Sequence, residues 1–121
     1  KAAIEALRTD DFVYLHIEAS DEAGHGGDVE LKIKTIEYLD ARVVIPIFEA
    51  VSGWDEPVTI AILPDHPTPC AIKTHTSKPV PFIIYRPGET PDEVMVYDEF
   101  AAEKGGYGLL KGMEFMKTLI K

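Results

Sequence analysis

The sequence places one long helical stretch between two short apolar runs. Residues 12–17 and 58–63 are nearly continuous apolar segments of strand length. Between them, from Asp28 to Val51, apolar residues recur at steps of three and four, which is the period of an α-helix, and Asp28 is suited to cap its start. A strand, a helix and a second strand imply a crossover connection, which is how parallel strands are joined. We therefore predict an α/β fold with a mainly parallel sheet flanked by helices.

The remaining segments extend this prediction. Residues 82–85 are expected to form a third short strand, and residues 108–120 a last helix with one apolar stripe. Pro46 interrupts the long helical pattern. Because proline lacks an amide donor and crowds the carbonyl four residues earlier, we predict a kink or a restart near residues 41–46. Residues 18–27 are rich in glycine and other small residues, which predicts a loop.

The charge and the single cysteine exclude several classes of protein. The formal net charge is −9, and no Lys/Arg cluster is present, which argues against a partner that is a nucleic acid. No apolar stretch approaches the roughly 20 residues that span a bilayer, so we expect no membrane partner. Cys70 is the only cysteine, so an internal disulfide is impossible, and a reducing compartment is the simpler reading. The sequence indicates a cytoplasmic protein.

Carboxylates and imidazoles follow the predicted strands. Functional residues in open α/β sheets lie beyond the carboxyl ends of the strands, because the strands fix the geometry while the loops expose the side chains. Divalent metals held by mixed oxygen and nitrogen ligands need several such groups from separate strand ends. Two aspartates and three histidines meet this description and are our candidate metal ligands: Asp21, His25, Asp65, His66 and His75.

Each candidate also has a purely structural interpretation. Asp21 can cap a turn beside a surface histidine, although a spacing of four would put it on the same helical face as His25. Asp65 can be a turn former in a proline-rich loop, and His75 a hydrogen-bonded or exposed histidine. His16 lies inside an apolar run, which favours a histidine of the core or one that supports a ligand. Glu18 and Glu22 are interpreted as solvated acids, and Cys70 as a small buried side chain.

Taken together, these motifs resemble a known family. The segments His16–His25, Leu63–Cys70, Thr74–Thr76 and Pro79–Phe82 resemble the carboxyl-terminal part of the archaeal-type cofactor-independent phosphoglycerate mutases, within the alkaline phosphatase superfamily. The resemblance extends over nearly the whole chain. It implies that residues 1–121 form the carboxyl-terminal part of a metal-binding, alkaline phosphatase-like domain.

The resemblance also implies ligands and a reaction. Two divalent ions would lie side by side, one held by Asp21, His25 and His75 and the other partly by Asp65 and His66. Manganese, zinc or cobalt suits such ligands, and magnesium is possible but less readily accepted. The parent enzyme would be an isomerase of glycolysis that interconverts 3- and 2-phosphoglycerate, its small-molecule substrate, through a phosphoserine.

The same resemblance implies that the chain lacks catalytic residues of its own. The nucleophilic serine of the family lies outside this chain, and none of its own serines matches that motif: Ser20, Ser52 and Ser77. We therefore expect an inactive fragment whose exposed apolar surface can self-associate. Two alternatives stay open: a related metal-dependent phosphatase or phosphotransferase, including members labelled homoserine kinase, and a non-catalytic metal-binding domain.

Overall fold

Short helices make up most of the regular structure. The computed structural model describes residues 1–121. Its elements, in chain order, are α1 (Ala2–Ala6), α2 (Ala19–Gly26), α3 (Val29–Leu39), a π-helical turn (Asp40–Val44), α4 (Ile45–Ser52), β1 (Ile60–Ile62), β2 (Ile83–Tyr85), α5 (Glu99–Ala102) and α6 (Gly112–Leu119). None of these helices has the length and apolar character that crossing a bilayer requires.

The residues divide into two compact units. The first unit contains residues 1–56 and 68–75, and the second contains residues 57–67 and 76–121. The first unit is helical and holds α1 to α4, with Ala23 and Val51 buried in it. The second unit holds both strands together with α5 and α6. The assignment of residues 1–121 to a single domain stays a prediction.

The long helical stretch of the first unit forms as predicted. The Asp28 side chain caps α3 by accepting a hydrogen bond from the Leu31 amide at 2.9 Å. The helix does not run straight to Ser52, because the π-helical turn separates α3 from α4 just before Pro46. Proline has no amide to donate and its ring crowds the carbonyl four residues back, so the preceding turn widens. The predicted interruption at residues 41–46 is confirmed.

The glycine-rich segment after residue 18 is a helix, so the prediction of a loop there is wrong. Helix α2 begins at Ala19 and ends at Gly26, and the next residue, Gly27, adopts the left-handed conformation (φ 72°) that favours glycine at a helix end. Alanines favour the helix, and Ala23 is buried against the rest of the unit. Tertiary packing therefore outweighs the low helix propensity of Gly24.

Residues 12–17 form no strand in this chain, which corrects the first predicted strand. Strands are stabilised by a hydrogen-bonded neighbour, and this segment has no ladder partner within residues 1–121. Its large side chains are exposed rather than buried, with Tyr14 at 72% and Phe12 at 53% of their full accessibility. An apolar run of this length therefore does not by itself imply burial.

The two strands of the second unit pair antiparallel, which corrects the predicted parallel arrangement for this pair. Ile60 lies opposite Tyr85, and Ile62 lies opposite Ile83. The connecting segment carries prolines that cannot continue a helix: Pro64, Pro67, Pro69, Pro79 and Pro81. Because no crossover helix forms between the strands, the chain returns in the opposite direction.

Aromatic side chains and one arginine organise the rest of the second unit. The Phe82 ring lies 5.7 Å from the Tyr107 ring and 5.2 Å, edge-on, from the Phe115 ring of α6. Arg86 donates to the Tyr107 hydroxyl at 2.6 Å and to carbonyls in the last turn of α6, at Thr118 and Leu119. A cation at a helix C-terminus is favourable. The predicted last helix is confirmed over its shorter observed range.

A tyrosine is also tied into the second unit. The Tyr97 hydroxyl donates to the Pro81 carbonyl oxygen at 3.0 Å. Burial raises the pKa of the Tyr97 phenol to about 12, and the Glu99 carboxylate adds to the increase. The phenol therefore stays a neutral hydrogen-bond donor throughout the ordinary pH range.

Candidate metal centre

Three of the five predicted ligands converge within the first unit. Helix α2 presents Asp21 and His25 one turn apart on one face, and the segment 68–75 ends at His75. The Nε2 atoms of His25 and His75 lie 2.9 Å apart. Asp21 Oδ2 lies 3.3 Å from His25 Nε2, and Asp21 Oδ1 lies 3.2 Å from His75 Nε2.

These separations suit a divalent metal ion. Zinc binds imidazole nitrogen and carboxylate oxygen at about 2.0–2.2 Å, so two donors of one tetrahedral site lie about 3.3 Å apart. The three donor pairs measured here span 2.9–3.3 Å. All three side chains are partly exposed, which leaves the cluster open to an ion and to a further ligand. The donor set therefore fits a divalent cation.

A backbone carbonyl sets the orientation of one imidazole. His25 Nδ1 lies 3.0 Å from the Lys73 carbonyl oxygen, which can only accept a hydrogen bond. The proton of a neutral His25 ring is thereby assigned to Nδ1, and Nε2 keeps the lone pair that faces Asp21 and His75. Metal-binding histidines are commonly oriented in this way. Lys73 has φ 54°, an unusual value for a residue with a side chain and one that clusters at functional sites.

A buried hydroxyl contacts the carboxylate. Thr68 is only 4% exposed, and its Oγ1 donates to Asp21 Oδ1 at 2.6 Å. Sequence reasoning missed the parts played by both Thr68 and Lys73. The proline on each side of Thr68 was a visible sign of a stiffened backbone, whereas nothing in the sequence indicated the direction of the Lys73 carbonyl.

Asp65 and His66 belong to the second unit and contact each other. The His66 amide donates to Asp65 Oδ1 at 3.0 Å, and His66 Nε2 lies 3.3 Å from Asp65 Oδ2. Asp65 is the more exposed of the two side chains. The pair thus offers a carboxylate and an imidazole side by side. Its role beside a second ion stays a prediction.

Comparison with known proteins identifies the family. A family model described as the metalloenzyme superfamily matches residues 1–121. The chain belongs to the metalloenzyme superfamily. Membership implies the use of divalent metal ions, in agreement with the donor set of the first unit.

Two relatives of this metalloenzyme chain are named as the same enzyme. Over the whole chain it is 50% identical to the 2,3-bisphosphoglycerate-independent phosphoglycerate mutase of Methanosarcina mazei, covering 31% of that protein. It is 47% identical to a probable mutase of the same name from Geobacter sulfurreducens, over 98% of the chain and 30% of the relative. The chain spans about a third of the length of the curated relatives it matches. The predicted resemblance to the archaeal-type mutases is confirmed.

A solved structure supports the fold of this metalloenzyme chain. The PH0037 protein from Pyrococcus horikoshii superimposes with a TM-score of 0.86 at 36% identity. The match covers 98% of this chain and 35% of that structure. The backbone described above is therefore shared with part of a longer protein.

Other residues considered in the sequence analysis are not among the three clustered donors of the first unit. His16 is not a core histidine: its side chain is partly exposed, stacks on the Tyr14 ring and lies 3.7 Å from a Glu18 carboxylate oxygen. Glu22 is exposed, in keeping with a solvated acid. Cys70 is a free, half-buried thiol.

Proposed function

We propose that this chain supplies metal ligands to a 2,3-bisphosphoglycerate-independent phosphoglycerate mutase. In this proposal Asp21, His25 and His75 hold one divalent ion, and Asp65 and His66 contribute to a second. The observation that carries the proposal is the convergence of one carboxylate and two imidazoles at 2.9–3.3 Å. Identity of 50% over the whole chain to a protein named as this mutase supports the reaction.

The reaction of the whole enzyme would interconvert 3- and 2-phosphoglycerate through a phosphoserine. A covalent intermediate of this kind divides one difficult transfer into two easier ones. Bound divalent ions would supply Lewis-acid stabilisation of the negative charge on the phosphoryl group and favour ionisation of the serine. Manganese, zinc or cobalt suits the mixed ligands, and magnesium is less readily accepted.

The chain's own contribution is to hold and orient donor atoms. Lys73 keeps the His25 lone pair on Nε2, and Thr68 holds the Asp21 carboxylate. The nucleophile must come from elsewhere, because no serine of the chain matches the family's nucleophile motif. Ser52, for example, donates its hydroxyl to the Phe48 carbonyl within α4. The chain alone is therefore expected to bind metal without turning over phosphoglycerate.

Titration calorimetry with manganese or zinc tests this proposal. We expect about one tight ion per chain, since the first site has three protein ligands while the Asp65–His66 pair has only two. His25→Ala should abolish tight binding. His16→Ala is the matched control, because it removes an exposed histidine outside the cluster and should leave affinity unchanged.

Two outcomes would contradict the proposal. Tight binding that survives the combined Asp21→Ala and His25→Ala substitutions would refute the ligand assignment. Turnover of 3-phosphoglycerate by the purified chain would refute the proposal that the nucleophile lies outside it.

A further inference from the structure

We propose that Thr68 is a positioning residue that fixes the Asp21 carboxylate for metal binding. The inference rests on the proposed function, because it concerns the ion assigned to Asp21, His25 and His75. It adds a residue that binds no metal itself but determines where one ligand oxygen lies. Groups that hydrogen-bond to metal ligands typically tune metal affinity by about 10–100-fold.

A short hydrogen bond joins Thr68 to the carboxylate of Asp21. Thr68 Oγ1 donates to Asp21 Oδ1 at 2.6 Å, a short distance expected for a hydroxyl bound to a carboxylate. The same Oδ1 atom lies 3.2 Å from His75 Nε2, while Oδ2 lies 3.3 Å from His25 Nε2. A carboxylate free to rotate would lose this arrangement. The hydroxyl therefore holds the plane in which each oxygen faces one imidazole.

Thr68 is itself held in place by burial and by a hydrogen bond. It is 4% exposed, and its carbonyl oxygen accepts a hydrogen bond from Lys32 Nζ at 2.6 Å. Pro67 and Pro69 restrict the backbone on either side. A hydrogen-bond donor fixed in this way can orient a partly exposed carboxylate, whereas a mobile surface hydroxyl could not.

Helix α2 approaches the Thr68 backbone closely at Gly24. A Cβ atom on Gly24 would lie 2.4 Å from the Thr68 carbonyl oxygen, a distance that real side chains do not reach. Only glycine allows the helix to come this near. The contact brings Asp21, one turn earlier on α2, within reach of the Thr68 hydroxyl.

The experiment separates the hydroxyl from the shape of the side chain. Thr68→Val replaces the hydroxyl by a methyl group at similar volume, and Thr68→Ser keeps the hydroxyl but removes the methyl group. We expect Thr68→Val to weaken manganese or zinc binding by about tenfold or more in calorimetry, and Thr68→Ser to stay within about threefold of wild type. Thr68→Ala, which deletes the hydroxyl without adding a group, provides a second test if valine does not fit.

A stability measurement on the metal-free chain completes the test. A purely structural role would make affinity follow the free energy of unfolding across all variants, whereas a positioning role predicts that serine restores affinity even where it does not restore stability. Valine and alanine variants that bind as tightly as wild type would overturn the inference. Wild-type chain without tight binding, or with binding unaffected by His25→Ala, would instead overturn the proposed function on which the inference rests.

Discussion

At the scale of single residues, Asp92 shows how one exposed carboxylate stabilises a bend. Its Oδ2 accepts a hydrogen bond from the Gly106 amide and its Oδ1 accepts one from the Val94 amide, both at 3.0 Å. Both hydrogen bonds lower the pKa of the Asp92 carboxyl below its ordinary 3.8, and the bond from Gly106 has the larger effect. Desolvation of the carboxylate opposes them slightly. The ionised form is therefore favoured in the folded chain.

We expect the contribution of Asp92 to the free energy of unfolding to depend on pH. A lowered pKa means that the stabilisation is present above pH 3.8 and is lost as pH falls through the lowered value. The gap between the free energies of unfolding of wild type and Asp92→Asn should therefore narrow below pH 3.8. Urea unfolding over a pH series measures this gap, and a gap that stays constant with pH would contradict the assignment.

At the scale of elements, two glycines of α2 differ in how closely they are packed. A Cβ atom on Gly24 would meet the Thr68 carbonyl at 2.4 Å and Lys32 Nζ at 3.0 Å, whereas one on Gly26 would meet nothing within 4 Å. Both residues lie in the same helix, and alanine is the better helix former at either position. The difference between them is therefore due to packing.

Gly24→Ala should destabilise the chain, whereas Gly26→Ala should not. We expect the first to lower the free energy of unfolding by roughly 1–3 kcal/mol, because helix and segment 68–75 must move apart. The second should be neutral or raise it by up to about 1 kcal/mol through helix propensity. Chemical unfolding of both variants measures the difference, and equal effects would show that α2 is not packed closely on Thr68.

At the scale of the whole molecule, the chain exposes many large apolar side chains. They include Phe12 and Tyr14 of the first unit and Met95 of the second, and Met95 is 90% exposed. Large exposed apolar area marks surface that contacts another protein or chain segment.

We predict that the isolated chain self-associates. Sedimentation velocity should give an average mass that rises with protein concentration, because contact between copies removes apolar side chains from water. Tyr14→Glu should weaken this association, since it introduces a charge in an exposed apolar segment. Glu30→Gln, a change in an exposed helical residue, serves as a control. A concentration-independent monomer would contradict the prediction.

Most of the helical structure and the candidate ligand types could be read from the sequence. The cap at Asp28, the interruption before Pro46 and the last helix follow from local rules about amides, rings and periodicity. The convergence of Asp21, His25 and His75 was expected from their positions after predicted strands. It occurs for a different reason, because Asp21 and His25 share a helix in a segment whose glycines predict a loop.

The sequence alone therefore determined which donor groups are available, where α3 starts and where the helical stretch is interrupted before Pro46, because these properties depend on neighbours within about four residues. Tertiary structure decided the rest. The antiparallel direction of β1 and β2, the Thr68 hydroxyl on Asp21 and the Lys73 carbonyl on His25 join residues more than twenty positions apart. Such contacts depend on which surfaces pack together, and the pattern of neighbouring residues does not predict this.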